Sequence, residues 1–169
     1  MTHENLEIAS PPWTLRGDAF AFCDRVLDSR LCIRAFVCYT QSPVGAYNEM
    51  ATATWTKRGP SILEMPVTLE ASMLGGRENW GYPKTLEHIE WRREANRVLV
   101  RARNRTVRTR ISRFSIPISV KAWTAQKLNG VWIRAPFQIA GRAHFAFVGR
   151  RLGVFIEDFT MTVFAPEQR

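Results

Sequence analysis

Residues 92–113, RREANRVLVRARNRTVRTRISR, place Val98, Val100 and Ala102, and then Val107, Thr109 and Ile111, at every second position. A period of two marks strands with one buried and one wet face. The spacing therefore predicts a hairpin that turns near Asn104 and Arg105 and carries arginine on its exposed side. Other segments read the same way. A Pro-Pro segment and Gly17 lead into a mostly apolar run from Ala19 to Cys23, the pattern of an entry loop and a buried strand. LCIRAFVCY, residues 31–39, is β-branched or aromatic and stops at Gln-Ser-Pro, which predicts a second buried strand. AYNEMATATWTKRGPSILEMPVTLEAS, residues 46–72, alternates Thr and Ala up to Trp55, turns at Lys-Arg-Gly-Pro and resumes from Ser61 to about Leu69.

SRFSIPISV, VWIRAPFQIAGRAHFAFVG and LGVFIEDFTMTVF repeat the pattern, each closed by Gly, Pro or Asn. So many short strands predict a mostly β sandwich or barrel. Pro117 and Pro136 interrupt strand-like runs, which places them on edges or at bulges. Only Thr85 to Trp91, after Pro83, and the stretch around Ala125 offer helices. At 169 residues the chain has the length of one domain, assigned to residues 11–169, with MTHENLEIAS at 1–10 as a flexible arm. No run approaches 18 apolar residues, so no membrane helix is expected. The arm lacks the features of a secretory signal, and a cytoplasmic location follows as the expectation.

Charge narrows the partners. The chain carries +9, and nine of its twenty arginines lie in 92–113 against the one acid Glu94. Excess positive charge attracts nucleic acid, acidic membranes or anionic substrates. The segment has no interleaved aromatics for base stacking and no known nucleic-acid motif, so a solvated sheet face or subunit contact is preferred over a nucleic-acid or polyanion binder. Cys23, Cys32 and Cys38 show no metal or disulfide spacing and read as reduced core thiols. With His3, His88 and His144 scattered, no metal site and no cofactor are expected.

Chemistry concentrates in GGRENWGYPKTLEHIEW, residues 75–91, where Lys84 is one of only four lysines. A guanidinium stays charged in proteins, whereas an amine can lose its proton and attack a carbonyl. The free amine has a pKa of about 10.4, and bringing it near 7 costs the charged form about 4–5 kcal/mol, within reach of an apolar pocket. Pro83 stiffens the backbone before the lysine, and Trp80 and Tyr82 can wall such a pocket. The plain alternative is a surface lysine at a loop end.

This segment resembles the signature of the acetoacetate decarboxylase family, with its Gly-Arg-Glu, an aromatic or glycine pair and Pro-Lys. PPWTLRG, residues 11–17, resembles the opening motif of the family's smaller members, and AYNE, residues 46–49, resembles a family Tyr-x-Glu. The resemblance implies an acetoacetate decarboxylase-like antiparallel β barrel or sandwich with few short helices. It further implies a lyase in which Lys84 forms a Schiff base with a small keto acid such as acetoacetate, with Glu49 as the proton carrier. Trp80 and Tyr82 then line the substrate pocket, Arg16 meets the substrate carboxylate, and Arg77 and Glu78 hold the signature loop. Relatives with this fold and lysine also run imine-based aldol and dehydration chemistry. Thr85 replaces a second family lysine, and LCIRAFVCY offers no counterpart to a second family glutamate, so a noncatalytic binder of the same fold is the alternative. A homo-oligomer is expected, because exposed strands need company or charge.

Overall fold

The computed structural model describes residues 8–25, 30–103 and 105–168. Most of the proposed N-terminal arm, residues 1–7, and Asn104 of the predicted hairpin turn lie outside these. Eleven strands and one helix follow in the order β1 (Trp13–Arg25), β2 (Leu31–Gln41), β3 (Tyr47–Thr56), β4 (Gly59–Val67), α1 (Glu70–Trp80), β5 (Lys84–Leu86), β6 (Ile89–Glu94), β7 (Arg97–Ala102), β8 (Arg105–Leu128), β9 (Val131–Val148), β10 (Arg151–Val163) and β11 (Glu167–Gln168). They form one mostly β sheet in the order β5-β4-β3-β2-β1-β10-β9-β8-β7-β6, with β11 pairing β9. Neighbours are antiparallel except β4 and β5, which run parallel. The sheet is open, and its two end strands are consecutive in sequence.

Alternation sends adjacent residues to opposite faces. On β2, Phe36 enters one core with Phe20, Phe22, Met50, Val98, Val100 and Phe155. Its neighbour Val37 enters the other with Trp13, Leu15, Tyr39, Tyr47, Trp80 and Phe159. The β6–β8 hairpins cover the first face. Helix α1 and the far halves of the long strands β8 and β9 cover part of the second.

Several expectations change. Thr85 to Trp91 is not helical but forms β5 and β6, and Ala125 lies within β8. The helix is instead Glu70–Trp80, where Gly75 and Gly76 weaken the local signal. Pro117 lies where β8 has left β7 and has β9 beside it, the edge setting a proline accepts. Cys23 is exposed rather than a core thiol, because it alternates with Phe22; Cys32 is buried and Cys38 intermediate. No helix among the described residues is long and apolar enough to cross a membrane.

Candidate active site

Three elements bring Lys84 and Glu49 together. On β3, Tyr47 and Glu49 are two residues apart and share a face, and the β2 register sets them opposite Tyr39 and Val37. Strand β4 follows by a hairpin, and β5 lies parallel to it with Lys84 opposite Met65. Between them α1 returns the chain across the same face. Its end is fixed by Gly81, whose φ of 66° is left-handed and whose N–H donates to the carbonyl of Arg77. A side chain at 81 would also meet the carbonyl oxygen of Lys127 at 2.0 Å. After the cap, Arg77 Nε donates to the carbonyl of Lys84 at 2.7 Å and ties the signature segment back to the helix.

The two glycines of the signature have separate tasks. A β-carbon at Gly75 would lie 2.6 Å from the Trp13 ring, and one at Gly76 would lie 2.6 Å from Cδ and Cε of Lys84. The lysine stem thus runs across bare backbone at 76. Ser72, four residues earlier on the same helix face, meets the end of that stem: Lys84 Nζ donates to Ser72 Oγ at 3.0 Å and to Glu49 Oε2 at 2.8 Å. The other carboxylate oxygen accepts from the Tyr39 hydroxyl at 3.2 Å. Nζ also sits 5.4 Å from the centre of the Tyr47 ring.

Both charged members are 4% exposed. A buried ion pair is costly to desolvate and persists where its remaining polar sites are filled. Here Tyr39 and Ser72 fill them. Burial, reinforced by the negative charge of Glu49, pushes the Tyr39 and Tyr47 phenols well above their usual range, and burial raises Tyr82 to about 12. All three therefore stay protonated at neutral pH and supply neutral hydroxyls. The arrangement offers a primary amine, a carboxylate within proton-transfer distance and the hydroxyls of Tyr39, Tyr47 and Ser72 in a water-poor setting.

A family model described as acetoacetate decarboxylase matches residues 26–127 of the 169. The chain belongs to the acetoacetate decarboxylase family. The match contains Glu49, Ser72 and Lys84. The fold is similar to that of acetoacetate decarboxylase from Legionella pneumophila subsp. pneumophila str. Philadelphia 1, with a TM-score of 0.63 and 12% identity over 95% of this chain and 88% of that one. It is also similar to the enduracididine biosynthesis enzyme MppR complexed with pyruvate, with a TM-score of 0.61 and 13% identity over 98% and 93%. No curated protein matches the chain.

Within this acetoacetate decarboxylase-family chain the other candidate residues take different places. Trp80 packs edge-on to Trp13, with centroids 5.2 Å apart, and donates to the Phe164 carbonyl at 2.7 Å. It fastens α1 to the sheet. Tyr82 is buried in the same core, its hydroxyl 3.3 Å from Thr124 Oγ1. The structure does not bring Arg16 to the amine. On β1 it alternates with buried Trp13 and Leu15, so it is exposed on the opposite side, with Nε on Thr160. Thr85 is exposed as well. Tyr39, Ser72 and Gly76 are additions to the set that the sequence suggested. Where LCIRAFVCY lacks an acid, its contribution to the site is Tyr39.

Proposed function

We propose that the protein is a Schiff-base-forming lyase acting on a small keto acid, with Lys84 as nucleophile and Glu49 as proton carrier. The observation that carries this reading is the buried Lys84 Nζ, held 2.8 Å from Glu49 Oε2 by a stem that crosses Gly76. Glu49 accepts a proton from the amine, and the freed nitrogen attacks the ketone carbon. The carbinolamine then loses its oxygen as water, using the proton that Glu49 holds, and a protonated imine forms. With a β-keto acid, the bond to the carboxylate carbon breaks, its electron pair moves toward the imine nitrogen and carbon dioxide leaves. The enamine takes a proton at carbon, and water hydrolyses the resulting imine to ketone and free lysine. The hydroxyls of Tyr39, Tyr47 and Ser72, protonated at neutral pH, are suited to hold substrate oxygens. With a keto acid and an aldehyde, the same imine supports aldol condensation and dehydration.

The test is trapping. The protein is incubated with acetoacetate, pyruvate and larger keto acids, reduced with borohydride and weighed intact. One adduct per chain is expected, absent in Lys84→Ala, and its mass tells whether carbon dioxide has left. Because Lys84→Ala leaves Glu49 buried without its partner, the pair Lys84→Met with Glu49→Gln serves as a folded control lacking a lone charge. No adduct on the folded wild-type chain with any of these acids, at neutral and alkaline pH, would refute the lyase and favour a noncatalytic binder.

A further inference from the structure

We infer a second ligand site on the outer face of β6–β9, a cleft for a phosphate-bearing small molecule of the nucleoside diphosphate class. The β7–β8 ladder sets Arg97 opposite Arg110 and Leu99 opposite Arg108, and β8 sets Arg110 opposite Phe147 of β9. On the other side, β6 sets Glu94 opposite Arg97 and Arg92 opposite Leu99. Residues facing each other across a ladder share a face of the sheet. Val98, Val100 and Val148 point into the core, so these side chains point out. They line a cavity of about 500 Å³ with four arginines and the one acid Glu94. That volume lies in the range of small-molecule sites.

Most of the positive charge on this floor is uncompensated. Of its four arginines Arg92 alone has a carboxylate, Glu90, which it shares with Arg101; outside the cleft Arg93 pairs with Asp18 and Glu157, and Arg103 with Glu64 and Glu87. Among the described residues Arg97, Arg108 and Arg110 have no carboxylate partner, and the Arg110 guanidinium lies 5.4 Å over the Phe147 ring. Like charges directly opposite on a ladder are destabilising. Two facing arginines with a third diagonal to them form a fork of donors suited to linked anionic groups, since each guanidinium can grip a phosphate with two parallel hydrogen bonds. Leu99 and the exposed ring of Phe147 add an apolar wall on which a planar group can stack. A diphosphate on the arginines with a ring against Phe147 satisfies both halves of the cleft. The aromatic absent from residues 92–113 is thus supplied by the neighbouring strand.

The experiment is calorimetric titration with ADP, pyrophosphate and adenosine at about 0.15 M salt, where diffuse surface attraction is largely screened. One ADP per chain is expected, with weaker pyrophosphate binding and none of adenosine. Arg97→Ala and Arg110→Ala should each weaken ADP about tenfold or more, the loss of a charge-assisted hydrogen bond. Phe147→Leu should weaken ADP and leave pyrophosphate unchanged. Arg113→Ala, which removes an exposed arginine outside the cleft, should leave ADP binding as it was. The site is disproved if the folded chain binds no ADP, or if Arg113→Ala weakens ADP as much as Arg97→Ala does. An oligothymidylate that ADP fails to displace, bound with a steep dependence on salt, would replace it with a nucleic-acid surface.

Discussion

At position 76 a β-carbon would fall 2.6 Å from two carbons of the Lys84 stem, and the amine beyond them is pinned by Glu49 and Ser72. An alanine there must displace either the stem or α1. Because the stem is flexible and Ala favours helix over Gly by about 1 kcal/mol, the chain absorbs the change by moving the amine. Gly76→Ala should therefore lower the rate of borohydride-trapped adduct formation about 100-fold, the scale of a misplacement near 1 Å, while the melting temperature changes little. A normal trapping rate would mean that the amine position does not depend on Gly76. Lys84 was legible because it is scarce, follows Pro83 and lies in a segment that resembles the family signature, and Glu49 because AYNE resembles the family Tyr-x-Glu. Ser72 was not, since its bond to the amine depends on a helix that the local pattern hides. Arg16 failed for the converse reason: the resemblance offered it for the site, whereas the alternation of β1 turns it away.

Among the elements, strand and hairpin positions followed from period two, while the segments flanking the signature did not. Residues 85–91 are too few for a stable isolated helix. They find ladder partners instead, β5 on β4 and β6 on β7. Helix α1 is set by tertiary contacts at Gly75, Gly76 and Trp80, which no apolar stripe announces. The last device at this scale joins the sheet's two ends. Arg103, at the β7–β8 turn, donates to Glu64 on β4 and to both oxygens of Glu87 between β5 and β6. The hydrogen bond from Arg103 is the chief reason that Glu87 sits below the usual carboxylate range. A carboxylate lowered in the folded state stabilises fully above its unfolded value of about 4.3, and that stability is lost as pH falls through the folded value. Arg103→Ala should cost about 1 kcal/mol at neutral pH, the upper end for exposed pairs. In denaturant titrations the cost should hold down to about pH 5 and shrink below about pH 4. A difference that persists undiminished at pH 3 would show that Arg103 acts through packing rather than charge.

Over the whole molecule, the register arranges apolar residues in rows that run across strands far apart in sequence. Phe145, Val154, Ala21, Ala35 and Ala51 stand opposite one another on β9, β10, β1, β2 and β3. Two residues toward α1, the row reads Ala143, Ile156, Ala19, Val37 and Glu49. There the core closes over it, so the candidate site lies where the covered face ends. Two residues the other way, Phe147 faces Leu152 on β9 and β10, and Cys23, Ile33 and Ala53 face one another on β1, β2 and β3. Phe145, Phe147, Leu152, Val154 and Ile33 are all more than 40% exposed. Ten positions in these outer rows carry no charge, on a chain of net charge +9. A contiguous apolar patch of this kind marks a contact surface. A second copy of the chain is expected on the part centred on Val154 and Ala21, away from Phe147 and the Arg110 that faces it, because two such faces can meet there about a two-fold axis without setting arginine against arginine. The expected result in sedimentation velocity is a species heavier than the 19.4 kDa chain. Val154→Lys with Phe145→Lys should return it to the monomer without loss of fold, since both side chains already face solvent in one chain. A wild-type protein that sediments as a monomer at every concentration tried would leave the face to some other occupant and refute self-association.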